Sequence, residues 1–385
     1  MKKNLMFIVP KLVGGGAEKT VANLSKALAS QFNIYIVIFN DTKEKYNYGG
    51  KLIVLPNNKS NKFVSKIKNK INQIKKIKEL KRKLNINYSV SFLRDADIIN
   101  VFSKTNEKVF VSIRNKESVD SLILKNKFKI YITCTLCDKV IAISREVKDD
   151  LVKNFHINKN KIVTIYNPCI ISEEYHKTNY EFSGNNNIIN VGRLSNQKGQ
   201  WHLIRAFKEV VNKIPNAKLI ILGEGNLKEY LEGLVKQLEL ENNIKLLGFI
   251  NNPYDYIKQS NLFVFSSLYE GLGNAVMEAL SCGIPVLSTD YDSGAREILA
   301  PNTDYREKNY NKIEYAQYGV LIPVCDGKKY TAYDQITKEE KIMANAIIEL
   351  LNDKEKQNLY KMKSLERSKD FKIEKISQQW IDILR

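Results

Sequence analysis

Two glutamates lie close together in the stretch YEGLGNAVMEAL, residues 269–280, with seven residues between them. Glu270 precedes a glycine-rich turn, and Glu278 lies within the apolar pattern that predicts a helix after that turn. Carboxylates at this spacing could act as an acid and base pair, as metal ligands, or as acceptors of hydrogen bonds from a substrate. The neighbouring residues decide among these kinds of chemistry.

The turn between the two glutamates favours the binding of an anion. Gly271 and Gly273 let the backbone turn sharply and approach a ligand closely. Asn274 is the predicted N-cap, and the peptide N–H groups of Leu272–Ala275 are predicted to face outward. Unpaired donors and the positive end of the helix dipole attract phosphate there, which argues against a carboxylate metal site. On this stretch alone an alternative stands, in which the second glutamate complements the helix dipole and the first is a solvated loop residue.

A second stretch supplies two cations. Arg193 and Lys198 lie in VGRLSNQKG, at the end of a predicted strand. Ligands of doubly wound sheets bind outside the carboxyl ends of the strands, so both cations are predicted to converge on the helix start after Gly273. Two cations and a helix N-terminus suit a diphosphate. The combined pattern favours a clamp around a phosphorylated substrate.

The rest of the chain predicts the elements that would hold these residues. A strand, a glycine loop and a helix are predicted in KNLMFIVPKLVGGGAEKTVANLSKAL and again in NNNIINVGRLSNQKGQWHLIRAFKEV. Most further apolar runs are followed by helical patterns, an alternation typical of parallel, doubly wound sheets. The predicted strands are IYIVIF, YSVSFL, KVFVSI and KVIAIS in the first half and KLIILG, IKLLGF, LFVFSS and IPVLST in the second.

The predicted fold class is therefore α/β, with two Rossmann-like doubly wound domains that face a central cleft. The junction is placed near IVTIYNPCI, which gives domains at 1–168 and 169–365. A last helix at 366–385 is predicted to pack back on the first domain, with Phe371, Ile376, Trp380 and Ile383 on one face.

Net charge divides the chain into two unlike halves. Residues 1–180 contain 34 Lys and Arg against 15 Asp and Glu, whereas residues 181–385 contain 27 of each class. The net charge of +19 therefore lies in the first half, which predicts an anionic partner for that half.

The stretch at 59–84 concentrates this charge. Apolar residues recur three or four apart, and the remaining positions carry eleven Lys or Arg against the single acid Glu79. A basic amphipathic helix of this kind favours contact with anionic lipid headgroups or a lipid diphosphate, although an ordinary domain helix with a solvated face is the alternative. Nucleic acid is disfavoured, because only Phe63 is aromatic there. The predicted contacts on this helix are Lys68, Lys75, Lys76 and Lys78.

Cysteines and apolar runs exclude other classes of protein. Five cysteines in 385 residues do not predict a disulfide framework, and Cys134 and Cys137 lie in a buried helix pattern, which favours core thiols over a zinc or redox site. The apolar run Leu5–Pro10 is too short for a signal peptide, and no run is long enough to cross a bilayer. The sequence predicts a protein of the reducing cytoplasm.

Several motifs together resemble the retaining glycosyltransferases of the GT-B fold, in the large family 4, also called glycosyltransferase group 1. They are GRLSNQKG, LGEG at 222–225, LLGF at 246–249 and the two glutamates seven residues apart. GGGAEK resembles that family's first glycine loop, YNPC its interdomain turn, and SGAREIL the segment after the glutamates. GGAE, SFL, NPC and the basic helix are similar to bacterial enzymes that extend lipid-linked glycans, including N-acetylgalactosamine and hexose transferases.

The resemblance implies roles for individual residues. Glu278 would bind the ribose hydroxyls of a nucleotide sugar, and Glu270 the hydroxyls of the donor sugar. Arg193 and Lys198 would neutralise the leaving diphosphate, so that these two cations and Glu270 form the catalytic set. The donor-binding set implied by the family is Gly15, Gly16, Arg193, Lys198, Gly223, Phe249, Ile250, Glu270, Gly271, Leu272, Gly273, Asn274 and Glu278.

Two departures from the family pattern matter. Some members use a first-domain histidine near the acceptor, whereas this chain has only His156, His176 and His202, for which surface positions are predicted. Arg94 and Arg114, after SVSFL and VFVSI, could face the cleft and the acceptor instead, or form ordinary salt bridges. Two short Asp-x-Asp strings, which bind manganese in transferases of another fold, are discounted, and no metal or cofactor is expected.

The expected activity is retaining transfer of an N-acetylhexosamine or hexose from a UDP-sugar to a polyprenyl-diphosphate-linked or other cell-surface glycan. The first domain would bind the acceptor and the second the nucleotide sugar, at the cytoplasmic face of the plasma membrane. A UDP-sugar epimerase or a phosphorylase of the same fold is the alternative. A nucleic-acid-binding protein would leave Arg193, Lys198, Glu270 and Glu278 unexplained.

Overall fold

The computed structural model divides the chain into two units of α/β structure. It describes residues 2–42, 45–55, 63–120, 124–170, 178, 180, 182, 184–308 and 311–385. The first unit comprises residues 1–168 and 372–385, and the second comprises residues 169–371.

The first unit contains one parallel sheet, and helices connect most of its successive strands. In the described residues the sheet has seven strands in the order β3-β2-β1-β4-β5-β6-β7, and every neighbouring pair is parallel. The strands are β1 (Lys3–Val9), β2 (Phe32–Ile38), β3 (Lys51–Val54), β4 (Tyr88–Phe92), β5 (Lys108–Ile113), β6 (Lys139–Ala142) and β7 (Ile162–Thr164). The helices are α1 (Gly16–Leu28), α2 (Phe63–Lys83), α3 (Arg94–Phe102), α4 (Glu117–Asp120), α5 (Leu124–Leu136) and α6 (Arg145–Phe155).

The second unit repeats this architecture. Its sheet has seven strands in the described residues, in the order β10-β9-β8-β11-β12-β14-β13, and only the edge strand β13 is antiparallel to its neighbour. The strands are β8 (Asn187–Val191), β9 (Lys218–Leu222), β10 (Ile244–Gly248), β11 (Leu262–Phe265), β12 (Val286–Thr289), β13 (Glu314–Tyr315) and β14 (Val320–Ile322). The helices are α7 (Gln200–Lys213), α8 (Lys228–Gln237), α9 (Tyr254–Lys258), α10 (Asn274–Ser281), α11 (Ala295–Leu299), α12 (Lys338–Asn352) and α13 (Lys354–Ser368).

The last helix, α14 (Ile373–Leu384), belongs to the first unit although it follows the second in sequence. It packs against α1, and its Trp380 ring stacks on Phe92 of β4 with ring centroids 6.2 Å apart. Ile376 and Trp380 are buried in the same apolar cluster as β1 and β2. Burial of such large side chains is worth several kcal/mol, so this helix is a structural part of the first unit.

Strand order explains where ligands can bind. The direction of strand addition reverses between β1 and β4 in the first sheet and between β8 and β11 in the second. Loops that leave two such strands diverge to opposite faces of the sheet, which opens a crevice at their carboxyl ends. The residues after β8 and β11 include Lys198 and Glu270, so the second sheet carries both at its switch point.

Candidate active site

The loop after β8 is built against the loops after β9 and β10. The Gly192 amide donates to the Leu222 carbonyl at 2.9 Å, and the Leu194 amide donates to the Glu224 carbonyl at 3.0 Å. A Cβ atom on Gly223 would lie 1.9 Å from the carbonyl oxygen of Gly192, so only glycine permits this approach. The motif LGEG therefore fixes the path of the loop that presents Lys198.

Lys198 and Glu270 form an ion pair at the switch point of the second sheet. The Lys198 ammonium contacts Glu270 Oε1, and the two side chains are only 17% and 10% exposed. Gln197 Nε2 donates to the other carboxylate oxygen at 3.2 Å, and the Ser267 hydroxyl donates to Oε1 at 2.8 Å. The ammonium also lies 5.0 Å from the centroid of the Phe265 ring, a favourable cation–π position. Three side chains thus orient Glu270, and two of them, Gln197 and Ser267, were not predicted from the sequence.

Helix α10 begins beside this ion pair. Its N-cap is Gly273, with φ 85° in the left-handed region, and a Cβ there would lie 2.1 Å from the buried Tyr291 hydroxyl. Asn274 is the first residue of the helix, so its prediction as N-cap is wrong. Left-handed backbone at the cap favours glycine over asparagine, which explains the shift by one residue. The Tyr291 hydroxyl donates to the Leu272 carbonyl at 3.1 Å, and the Ser293 hydroxyl donates to the Gly271 carbonyl at 2.8 Å.

Glu278 lies one turn into α10 and faces α9. It forms a hydrogen bond with the hydroxyl of Tyr254, a residue that is buried at the start of α9. Burial, reinforced by the Glu278 carboxylate, raises the pKa of Tyr254, so the phenol stays protonated and donates to the carboxylate. Tyr254 was not predicted from the sequence. Its contact shows that Glu278 is held in place by a neighbouring helix and is not only a partner for the helix dipole.

The other predicted donor-binding residues lie on the loops that surround this edge. Arg193 is exposed on the loop after β8, and Gly223 begins the loop after β9. Phe249 follows β10 directly and is 60% exposed, and Ile250 beside it is half-buried. An aromatic ring left this exposed after a strand end is available to a planar ligand. The structure therefore brings Lys198 into contact with Glu270 and places Arg193, Gly223 and Phe249 on the loops that follow β8, β9 and β10.

Comparison with known proteins identifies the family. The family model described as glycosyl transferases group 1 matches residues 171–366. The chain belongs to this family. An uncharacterized glycosyltransferase of Methanocaldococcus jannaschii is 38% identical over 86% of this chain and 73% of its own length. A relative from Campylobacter jejuni is 30% identical over 100% of both chains, and it is named N-acetylgalactosamine-N,N'-diacetylbacillosaminyl-diphospho-undecaprenol 4-alpha-N-acetylgalactosaminyltransferase.

A solved structure shares the fold of this glycosyltransferase. Anabaena HepE in complex with UDP-glucose has a TM-score of 0.76, and the match covers 99% of both chains at 18% sequence identity. Such a likeness shows the fold alone, which is GT-B. The predicted family, fold class and enzyme class are thereby confirmed.

In the first unit of the glycosyltransferase, the start of α1 is tied to the end of β5. Gly15 is the N-cap of α1 and Gly16 its first residue. Within α1, the Thr20 hydroxyl lies 3.2 Å from Asn167 Oδ1 and accepts a hydrogen bond from the Arg114 guanidinium at 3.3 Å. Arg114 also donates to the Asn167 side chain, which comes from the predicted YNPC turn.

The environment of Arg114 keeps it charged and fixed. Burial lowers its pKa, and the Glu18 carboxylate nearby raises it again. The guanidinium also lies 5.5 Å from the centroid of the Phe92 ring. Because a pKa lowered to about 9 still leaves the guanidinium protonated at neutral pH, Arg114 contributes a positive charge at the carboxyl end of β5.

Arg94 forms a salt bridge with a buried partner. Its Nη2 lies 2.6 Å and its Nε 2.8 Å from Glu117 Oε2, and the Glu117 side chain is 6% exposed. Two donors on one carboxylate oxygen hold both side chains in place, since charge-assisted hydrogen bonds are strong. The structure shows a salt bridge at Arg94, and the acceptor contact of this residue stays a prediction.

Helix α2 contains the lysines that are predicted to contact an anionic partner, and only part of this helix packs against the rest of the unit. Its second half packs into the unit through Ile77, whereas Ile67 and Ile71 in its first half are 47% and 51% exposed. Lys68, Lys75 and Lys76 are exposed, and Lys78 is half-buried. Lys81 points inward and pairs with the buried Glu107 at 2.7 Å. The helix is thus neither wholly solvated nor wholly packed. Phe63, at its start, is one of the residues whose side chains the structure does not describe.

Other candidate residues have structural positions. Cys134 and Cys137 are buried free thiols, and burial raises the pKa of both, that of Cys137 to about 12, as expected for core cysteines. Asp290, from one Asp-x-Asp string, is buried and binds Arg296 at 2.7 Å. No helix in the described part of the chain combines the length and apolar character that spanning a bilayer requires.

The prediction that all three histidines lie at the surface is wrong for one of them. His202 is completely buried in α7, where its Nδ1 lies 2.7 Å from Glu340 Oε1. Glu340 is also bound by Arg205 at 3.0 Å, so paired charges make this burial tolerable. His156 is exposed after α6, as predicted, and His176 lies outside the described residues.

Proposed function

We propose that this glycosyltransferase moves a sugar from a UDP-sugar to a polyprenyl-diphosphate-linked glycan, with retention at the anomeric carbon. The observation that carries the proposal is the Lys198–Glu270 pair at the switch point of the second sheet, beside the start of α10. Cation, carboxylate and helix start together suit the phosphates and hydroxyls of a nucleotide sugar. The Campylobacter relative named for a diphospho-undecaprenol acceptor and the UDP-glucose complex of HepE support the two substrate classes.

In this proposal the second unit binds the donor. Lys198 and the exposed Arg193 neutralise the charge that develops on the leaving UDP, while Glu270 accepts hydrogen bonds from hydroxyls of the transferred sugar. Backbone N–H groups of 271–274 assist at the helix start. Glu278, oriented by Tyr254, binds the ribose hydroxyls, and Phe249 with Ile250 flanks the base. Gly15 and Gly16, at the start of α1, are also proposed to bind the donor.

Charge stabilisation is the main catalytic contribution expected from this chain. A leaving diphosphate gains negative charge in the transition state, and preorganised cations stabilise it strongly in a site with little water. We infer that Lys198 and Arg193 supply this stabilisation without a divalent metal or an organic cofactor. Transfer is expected to continue in excess EDTA, and a loss of activity that Mg²⁺ or Mn²⁺ restores would contradict this inference.

The first unit is proposed to bind the acceptor and the anionic membrane surface. Exposed Ile67 and Ile71 on α2 lie close in sequence to the exposed Lys68, Lys75 and Lys76, which is the composition of an interfacial helix. A second helix adds to this surface, because Phe128 and Tyr131 of α5 are 65% and 46% exposed. Helix α3 packs against both α2 and α5, so the two lie on the same side of the sheet. The enzyme would then work at the cytoplasmic face of the membrane as a peripheral protein.

The decisive experiment screens nucleotide sugars for protection against thermal unfolding and then for transfer to a polyprenyl-diphosphate-linked N-acetylhexosamine. A donor present at about 100 times its Kd stabilises the folded chain by about 2.7 kcal/mol. We expect protection by one or more UDP-sugars and an α-linked product from an α-linked donor, as read by NMR. An inverted product would overturn the retaining mechanism. Release of UDP and free sugar at the same rate without acceptor would instead support a UDP-sugar epimerase.

A further inference from the structure

The first sheet has a cavity of its own at the switch point between β1 and β4. Its volume is about 270 Å³, and its lining includes Pro10 after β1, Leu93 after β4, and Ser112 near the end of β5. All its lining residues belong to the first unit. A crevice outside the carboxyl ends of strands, where the strand order reverses, is the usual place for a ligand in such a sheet.

Two buried oxygen atoms in the lining have no hydrogen-bond partner within the described residues. They are Oδ1 of Asp97, in the first turn of α3, and the hydroxyl of Ser112. These residues are 2% and 1% exposed. A buried polar group without a partner costs about 1–3 kcal/mol, and native structures keep few of them without a reason. Two such groups on the wall of one cavity indicate a ligand that supplies the missing hydrogen bonds.

The charges around the cavity balance. Arg94 is paired with Glu117, and the exposed Asp95 binds Lys70 at 2.5 Å. Arg114 directs its guanidinium to Asn167 and Thr20, with Glu18 nearby. Burial raises the pKa of Asp97 well above its ordinary value, which favours the uncharged carboxyl; Glu117 and Asp95 reinforce this effect, whereas a hydrogen bond with Ser91 and the charge of Arg94 oppose it. The acids around the cavity would therefore repel an anionic ligand, and its arginines would repel a cationic one.

The unpartnered groups also define the polarity of the ligand. A protonated carboxyl and a hydroxyl each have both a donor and an acceptor to offer, as does the hydroxyl of a sugar. An apolar ligand would leave both groups unsatisfied, whereas an ammonium or a phosphate would be poorly matched to a wall without net charge. The matching class is a neutral polyol ring.

We propose that this cavity binds an uncharged sugar ring of the acceptor, with Asp97 and Ser112 hydrogen-bonded to its hydroxyl or acetamido groups. The proposal rests on the proposed transferase function, since the acceptor is the glycan that this function requires. It adds a position in the first unit, two residues that select the acceptor, and the chemical class of the sugar they select.

A direct binding experiment tests the site without turnover. The probes are the methyl α-glycosides of glucose, galactose, N-acetylglucosamine and N-acetylgalactosamine, with methyl α-glucuronide as the charged counterpart, and binding is read by saturation-transfer NMR. We expect at least one neutral glycoside to bind the intact chain and the glucuronide to bind more weakly. Asp97→Leu, which keeps the branched shape of the side chain and removes its hydrogen bonds, should weaken binding about tenfold, the equivalent of about 1.4 kcal/mol.

Matched variants separate binding from folding. Ser112→Ala is expected to weaken binding, whereas Ser103→Ala should not, because the Ser103 hydroxyl is buried in α3 but already donates to the Asn100 carbonyl at 3.0 Å. Asp97→Asn, which can still donate and accept, should restore most of the affinity. Asp97→Leu should unfold close to the temperature of the natural chain, because it removes the unsatisfied Oδ1 atom but also loses the hydrogen bond with Ser91.

Transfer kinetics separate failure of this site from failure of the proposed function. Asp97→Leu should raise the KM for a polyprenyl-diphosphate-linked N-acetylhexosamine about tenfold while the KM for the UDP-sugar stays the same. An unchanged acceptor KM, tighter binding of the glucuronide, or equal glycoside binding by Asp97→Leu would each overturn the site and leave the transferase function standing. If the natural chain transfers no sugar to any lipid acceptor, the transferase function itself fails, even when the neutral glycosides bind.

Discussion

At the scale of single residues, three carboxyl groups of this enzyme differ in the neighbouring groups that they contact. Glu270 forms an ion pair with Lys198, Glu278 accepts a hydrogen bond from the Tyr254 phenol, and burial raises the pKa of Asp97 well above its ordinary value. The three carboxyl groups thus differ in environment: a cation lies beside Glu270, a hydroxyl beside Glu278, and Asp97 is desolvated. Each environment fits the proposed partner of that residue. Glu270 would bind a sugar beside a leaving phosphate, Glu278 a ribose, and Asp97 an uncharged sugar ring.

Replacement of Lys198 by Ala should affect transfer more than folding. Loss of one preorganised charge beside a developing anion costs about 10²–10³ in kcat, or about 2.7–4 kcal/mol, so kcat/KM for the UDP-sugar should fall by that factor. Steady-state kinetics with the lipid acceptor provides the measurement. Lys236→Ala, at an exposed position of α8, is the matched control and should retain full activity. A Lys198→Ala enzyme with undiminished kcat/KM would remove this residue from the catalytic set.

Replacement of Glu278 by Ala should weaken UDP binding about tenfold, because one charge-assisted hydrogen bond to the ribose is lost. Tyr254→Phe removes only the hydroxyl that orients Glu278, so a smaller loss in the same direction is expected. Isothermal titration calorimetry with UDP measures both. Glu232→Ala, an exposed acid on α8, controls for the loss of a negative charge. Equal affinities in all four proteins would contradict the ribose role.

Asp97 also predicts how the stability of the first unit depends on pH. Its pKa is raised in the folded chain, so the folded state binds more protons than the unfolded state between the ordinary value of 3.8 and the folded value. Stability from this group is therefore present at low pH and is lost as the pH rises through that window. Asp97→Asn cannot ionise, so the difference between its unfolding temperature and that of the natural chain should move in favour of the variant as the pH rises from about 4 towards neutral. A constant difference across this range in calorimetric scans would show that the Asp97 carboxyl is not perturbed.

At the scale of elements, the sequence predicts well what depends on periodic apolar runs. Strands β1, β2, β4, β5 and β6 and strands β8 to β12 coincide with predicted runs, because fully buried parallel strands are continuously apolar. The short strands β3, β7, β13 and β14 were not predicted. They are two to four residues long, and their pairing is decided by the sheet beside them.

Site residues follow the same division. Lys198, Glu270 and Glu278 could be found because they lie in motifs with fixed spacing at strand ends. Tyr254 and Ser267 could not, because each meets its carboxylate through tertiary packing, and tyrosine or serine at such positions has no distinctive pattern. His202 was misplaced for a related reason, since its partner Glu340 lies on α12, far away in sequence.

The contact of α7 with α12 is expected to depend on Glu340. Its carboxylate binds His202 and Arg205 and closes a capping box with Thr337 at the start of α12. Glu340→Gln removes the charge from a buried cluster, so unfolding of the second unit in urea should require about 3 kcal/mol less. The same change at Glu339, in the same helical turn, should alter stability by less than about 0.5 kcal/mol.

The pH dependence of this cluster has the opposite sign to that of Asp97. Hydrogen bonds from His202 and Arg205 outweigh desolvation and lower the pKa of Glu340 in the folded chain. Its stabilisation is therefore present above the ordinary value of 4.5 and is lost as the pH falls through the folded value. The difference between the natural chain and Glu340→Gln should shrink in acid, and a difference that grows there would contradict the charge assignment.

At the scale of the whole molecule, charge and exposed apolar surface coincide in the first unit. Residues 1–180 hold the entire net charge of +19, and the exposed apolar residues of α2 and α5 lie in the same unit. Lysines beside exposed apolar side chains bind anionic bilayers by two additive forces, about 1 kcal/mol per cation near the surface and the burial of apolar area. The balanced second half lacks the first of these forces.

Replacement of Lys68, Lys75 and Lys76 by Ser should therefore loosen attachment to vesicles that contain phosphatidylglycerol by more than tenfold, since three cations contribute about 3 kcal/mol. Flotation at low ionic strength measures the bound fraction, and added salt should reduce binding of the natural chain towards that of the variant. A triple Ser variant at Lys213, Lys236 and Lys245, exposed lysines of the second unit, removes the same charge and should float normally. Transfer to a soluble acceptor should be equal in all three proteins, whereas transfer to a lipid acceptor in vesicles should fall only in the α2 variant. Normal flotation of that variant would show that α2 is an ordinary domain helix and that the positive charge of the first unit serves another partner.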